Sequence, residues 1–83
     1  MTTQLFKTTD TGLATFLIVS GHRLAKINYE NPRYEFFFED THGTRLLADS
    51  YIAGTATTNP AGFLRINKKL LRVIHSRAQW EED

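Results

Sequence analysis

Two alternating segments around a turn constrain this chain more than anything else in it. From Arg23 to Glu30, Ala25, Ile27 and Tyr29 fall on one side, and Leu24, Lys26, Asn28 and Glu30 on the other. From Tyr34 to Glu39, Tyr34, Phe36 and Phe38 alternate with Glu35, Phe37 and Glu39. A strand sends successive side chains to opposite faces, so each segment reads as a strand with one apolar face. Asn31-Pro32-Arg33 between them has turn chemistry, proline presetting the backbone angle. The two strands are expected to form an antiparallel hairpin with an aromatic inner face. If Tyr29 lies opposite Tyr34, Ile27 and Phe36 share that face. A lone hairpin is marginal in water, so the rest of the chain must pack over it.

The rest reads as helices. Asp10 is an N-cap candidate ahead of Leu13, Ala14, Phe16, Leu17 and Ile18, and Ser20-Gly21 is the matching stop. That helix is so apolar that most of its circumference must be buried. Asp40 and Thr41 are expected to cap a second helix holding Leu46, Leu47, Tyr51 and Ile52, which ends at Gly54. Asn59-Pro60 starts a third, since proline is tolerated in a first helical turn. The expected fold is α+β, one small domain over residues 1–83 in the order α-β-β-α-α. A short extended piece at Leu5-Phe6-Lys7 could add a third strand.

Eighty-three residues make one domain that buries about 60% of its unfolded surface. The absence of cysteine excludes disulfides, thiolate metal sites and thiol catalysis, and favours a cytoplasmic protein over a small secreted one. Met-Thr-Thr-Gln-Leu-Phe-Lys at the N-terminus lacks the layout of a signal peptide. No apolar run approaches the roughly 20 residues of a bilayer span. The formal charge of +1 hides an asymmetry: residues 1–80 carry ten basic and six acidic side chains before the acidic tail Glu81-Glu82-Asp83.

Charge and hydrophobicity separate most clearly in the third helix. Arg65, Lys68, Lys69 and Arg72 recur three and four apart and form one stripe, while Phe63, Ile66, Leu70, Val73 and Ile74 form another. The basic stripe could be a solvated face, a row of contacts to nucleic-acid phosphates, or a dock for an acidic protein. Arg23, Lys26 and Arg33 on the hairpin could extend a phosphate footprint, although no aromatic RNA-binding motif is present. A pI near 8.1 falls below the value of about 9 that marks strong nucleic-acid binders. Phe37 points away from Phe36 and Phe38, so it is either core under a second layer or an exposed anchor. Trp80 has the same two readings.

Signals for chemistry are weak. His22, His42 and His75 sit in three elements without metal-ligand spacing, and His22 is read as a polar contact to the last carbonyls of the first helix. Glu39-Asp40 is the densest internal acidic pair, but Asp40 is more simply a cap. Ser20, Ser50 and Ser76 lack a nucleophile elbow, and the five glycines form no phosphate loop. Thr41-His42-Gly43-Thr44 could hold an anion, although ordinary capping accounts for it. The expectation is a non-enzymatic protein without cofactor or metal.

The run Thr9-Asp10 to Leu13-Ala14, then Phe16-Leu17, then Gly21-His22 with Leu24, resembles the opening of a group of small bacterial and phage proteins. Their domain carries only a domain-of-unknown-function label. Phe36-Phe37-Phe38-Glu39-Asp40 resembles its second block, and Tyr51 with Gly54 and Phe63 after a proline its third. The likeness runs from about Lys7 to about Arg77. It implies no activity, cofactor or catalytic residue. It does imply a phage or mobile-element origin, and by analogy a protein that binds a host or phage macromolecule. The leading expectation is a nucleic-acid module using Arg65, Lys68, Lys69 and Arg72. The alternative is a protein-binding module, such as a phage-encoded inhibitor of a host or defence protein, using Phe37, Trp80 and the same charges. A homodimer could form through the hairpin's open edge.

Overall fold

The computed structural model describes residues 4–30 and 32–81. In chain order the elements are β1 (Leu5–Thr8), α1 (Thr11–Val19), β2 (Leu24–Asn28), β3 (Glu35–Glu39), α2 (His42–Ala53) and α3 (Pro60–His75). The strands form one antiparallel sheet in the order β1-β3-β2. The class is α+β as expected, but the order is β-α-β-β-α-α. The difference arises because Leu5-Phe6-Lys7 does pair, with Phe6 opposite Phe38 and Lys7 opposite Phe37. The hairpin's second strand therefore lies at the centre of the sheet.

Ile27 pairs with Phe36 and Asn28 with Glu35, the register that sets Tyr29 against Tyr34. Phe36 and Phe38 are fully buried. Tyr34 is only half-buried and meets Phe36 edge-to-face at 5.5 Å. The alternation expected for β2 breaks at one point. The register slips between Leu24 and Lys26, so Ala25 is the extra residue of a β-bulge. Leu24, expected outside, is thereby buried beside Ile27, and Ala25, expected inside, is exposed. Of the hairpin turn, Asn31 lies outside the described residues, while Pro32 and Arg33 are exposed.

Helix α1 is the hub of the core. Asp10 caps it by accepting from the Leu13 N–H at 3.1 Å. It ends in a Schellman motif, with Gly21 at φ +100° and the N–H groups of Gly21 and His22 donating to Ile18 and Leu17. Leu13 to Leu17 are all buried, which one face of a helix cannot accomplish. The sheet, α2 and α3 surround this segment, as its composition demanded. Tyr51 of α2 stacks on Phe16 at 5.7 Å, and its hydroxyl occupies the space that a Cβ on Gly12 would need. A side chain at position 12 would force that hydroxyl to move.

In α2, Thr41 is the N-cap, accepting from the Thr44 N–H at 3.1 Å. Asp40, expected to share that cap, instead forks the Arg45 guanidinium at 2.8 and 2.7 Å. Asn59 caps α3 through Ala61 and Gly62, and Leu70 on its inner face is fully buried.

The exit from α3 shapes one edge of the sheet. The helix closes with another Schellman pattern, but the left-handed position is held by Arg77 at φ +51°, where a side chain costs about 1–2 kcal/mol. Compensation comes from Tyr29, the residue that follows β2. Arg77 donates to the Tyr29 carbonyl at 3.1 Å and lies 5.0 Å from its ring centroid, and the Tyr29 hydroxyl donates to Ala78 O at 2.6 Å. The chain then passes along β2. There the Gln79 amide accepts from the Ile27 N–H at 2.7 Å and donates to its carbonyl at 2.8 Å. One side chain makes the two bonds that a neighbouring strand would make. Among the described residues, no helix is long and apolar enough to cross a membrane.

Candidate docking surfaces

The outward side of α3 combines charge with apolar area. Arg65, Lys68 and Arg72 are exposed, and among the described residues none has an ion-pair partner. Along one flank of this stripe stand two leucines, Leu64 at 66% and Leu71 at 41% exposure. At about 100° per residue, these leucines lie roughly 110–130° from the middle of the buried stripe, too far round to reach the core. His75 is exposed on the same outward side. The signal is present in the sequence, since Leu64 and Leu71 fall seven residues apart outside the apolar stripe.

Lys69 stands apart from the other three. It is half-buried, its Nζ donates to Glu81 O at 3.0 Å, and it lies 4.5 Å from the Trp80 ring centroid. Trp80 packs half-buried against the core, its indole N–H enclosed and without a partner among the described residues. Leaving such a donor unpaired costs about 1–3 kcal/mol, which the packing of the ring must offset.

Phe37 takes a middle position. It lies half-buried on the sheet face opposite Phe36 and Phe38, where Lys7 and Lys26 are its cross-strand neighbours. Lys26 sits 5.0 Å from the ring centroid, and Lys7 pairs with Glu35 at 3.2 Å. Lysine stems thus screen much of the ring, leaving less apolar surface than a free phenylalanine. Arg23 and Arg33 are exposed.

His22, Thr41, Thr44 and Asp40 take part in structural contacts. The buried Thr44 hydroxyl contacts Glu39 O at 2.9 Å, Thr41 Oγ1 at 2.9 Å and His22 Nδ1 at 3.2 Å. A hydroxyl has one hydrogen, and a carbonyl only accepts, so Thr44 donates to Glu39 and accepts from the other two. That assignment places a proton on His22 Nδ1. The His22 ring therefore ties α1 to the start of α2. Its backbone N–H, not its ring, makes the expected bond to a terminal carbonyl of α1. Thr41 and Thr44 are both consumed in this network and cap, which accounts for the Thr41–Thr44 segment. Hydrogen bonds from Arg45 hold the Asp40 carboxyl below its ordinary value, the opposite of what a general acid requires. Among the described residues no group of three or more His, Asp or Glu could hold a metal ion.

Comparison with protein-family models, curated proteins and solved structures returns no match.

Proposed function

We propose that this chain is a non-enzymatic protein-docking module that works through the outer face of α3 and binds an acidic partner with its own apolar surface. One observation carries the reading: Leu64 and Leu71 stand exposed along the flank of the stripe formed by Arg65, Lys68 and Arg72. Burying one leucine contributes about 1.5–3 kcal/mol, and two on one helix face provide an anchor that a phosphate backbone would leave unused. The free cations add electrostatic steering and select against basic partners.

The second reading is nucleic-acid binding through phosphates, favoured by the same three cations. Three contacts give a salt slope of only about −2.7 for duplex DNA, against the six to ten contacts of established binders. Lys69 would join them only by leaving Trp80 and Glu81. For this reason the protein-docking reading leads.

A photo-crosslinking residue at Leu64, activated in cells of the native host, tests both. A discrete protein adduct, lost in Leu71→Ser and in Lys68→Glu, supports the proposal. Adducts to nucleic acid that survive Leu71→Ser and vanish in Lys68→Glu establish the phosphate reading instead. The folded Lys68→Glu/Arg72→Glu double variant should lose binding under either.

A further inference from the structure

The outer edge of β1 has a defined pattern of free backbone groups. Asp40 N–H donates to Gln4 O at 3.0 Å, which makes Gln4 and Asp40 a hydrogen-bonded pair. In an antiparallel ladder such pairs recur at every second residue, so Phe6 and Thr8 also face β3. The N–H and C=O groups of Leu5 and Lys7 then point away from the sheet. Among the described residues nothing caps them, in contrast to Gln79 on β2. Beside this edge runs a groove of about 430 Å³ between β1 and α2, in which Leu5 is 43% and Ile52 75% exposed.

Charge decides what can occupy it. The groove is lined by two cations, Lys7 and Arg45, and two anions, Asp40 and Asp49. A neutral surface of this kind can face a copy of itself without repulsion. The outer face of α3, with three cations unpaired among the described residues, would set like charges together.

We propose that the chain forms a two-fold dimer by antiparallel pairing of β1 with β1 of a second copy, centred on Phe6. The geometry admits this register and disfavours its neighbours. Opposed residues must share a sheet face, so the two-fold axis has to pass through a residue rather than between two. Centring on Lys7 sets like charges directly opposite. Centring on Leu5 leaves the Lys7 backbone groups without a partner in the described strand. Centring on Phe6 sets Leu5 against Lys7 of the second copy in two hydrogen-bonded pairs, with Phe6 against Phe6 between them. The sheet then runs continuously across six strands.

The contact involves far fewer residues than the 20–30 a side of a standard interface, so association is read at high concentration. Sedimentation at up to about 1 mM should show a mass rising above 9.5 kDa. Lys7→Pro removes an outward N–H and leaves the β3 ladder intact, and an edge strand tolerates it. It should abolish association. Should that variant fail to fold, position 5 gives an independent reading: Leu5→Lys should weaken association and Leu5→Glu strengthen it, each by at least about twofold, because Lys7 of the second copy lies opposite. The chain has no cysteine, so introduced ones report the register. A mixture of Leu5→Cys and Lys7→Cys should crosslink on oxidation, and either alone should not. A monomer at 1 mM, an association insensitive to positions 5 and 7, or Leu5→Cys crosslinking to itself as readily as to Lys7→Cys would each overturn the proposal.

Discussion

The two edges of this three-stranded sheet handle one liability in opposite ways. An edge strand presents unpaired N–H and C=O groups that invite another strand. On β2 the invitation is withdrawn: Gln79 occupies both backbone groups of Ile27, and Arg77, Tyr29 and Trp80 hold the segment in place. On β1 the groups of Leu5 and Lys7 stay open among the described residues, and restraint comes from a length of four residues and from Lys7. The asymmetry matters for assembly. A sheet with two open edges can add copies without end, whereas one open edge closes after a single two-fold pairing.

The largest effect should come from the strand both edges share. Phe36→Ala removes a fully buried ring from β3 and should cost about 3–5 kcal/mol in urea unfolding, enough to unfold a domain this small. A loss under 1 kcal/mol would mean that β3 does not organise the sheet. Next is the capped edge. Gln79→Ala deletes two hydrogen bonds and should cost about 1–3 kcal/mol. Amide exchange at Ile27 should accelerate while Phe38 stays protected, and light scattering should show species larger than a dimer. Unchanged exchange at Ile27 would show that the edge is guarded by something else. Arg77→Gly should stay within about 1 kcal/mol of wild type, because relief of the left-handed strain offsets loss of the bond to Tyr29 O and of the ring contact. A much larger loss would make Arg77 the main strut of the cap.

The smallest effect belongs to the open edge. Asp40, in the groove beside β1, has its carboxyl pulled below the ordinary 3.8 by hydrogen bonds from Arg45. A depressed carboxyl stabilises the fold fully above its unfolded value and loses that contribution as pH falls through its folded value. The difference in melting temperature between wild type and Asp40→Asn should therefore be small at pH 7 and vanish toward pH 2. A difference that persists in acid would assign the effect to packing instead.

Local patterns carried most of the fold. The caps at Asp10, Thr41 and Asn59, the glycine stops at Gly21 and Gly54, and the Ile27–Phe36 register follow from turn chemistry and alternation that neighbouring residues specify among themselves. Failures occurred where a distant residue decides. Ala25 bulges where β2 buries both Leu24 and Ile27, three residues apart, which strict alternation cannot express. Asp40 left the cap for Arg45, five residues on, because a forked guanidinium outbids a cap that Thr41 already fills. The candidate surface was legible in its charges but not in their pairing. Nothing near Lys69 in sequence announces that it will bend to Trp80 and Glu81, twelve residues away. Gln79 was equally silent, since its reach to Ile27 depends on the unusual backbone of Arg77.

The clasp of Gln79 on Ile27 joins residues 52 apart in the chain, and this separation gives it a history in time. Synthesis runs from the N-terminus at about 5–20 residues per second, so Gln79 is added roughly 3–10 s after its target. Until then the nascent polypeptide carries β2 with nothing laid against its outer edge. The interval is long against the microseconds in which a hairpin forms. Selection for rapid translation, or for a chaperone's attention, would therefore act on the segment between β2 and the end of α3.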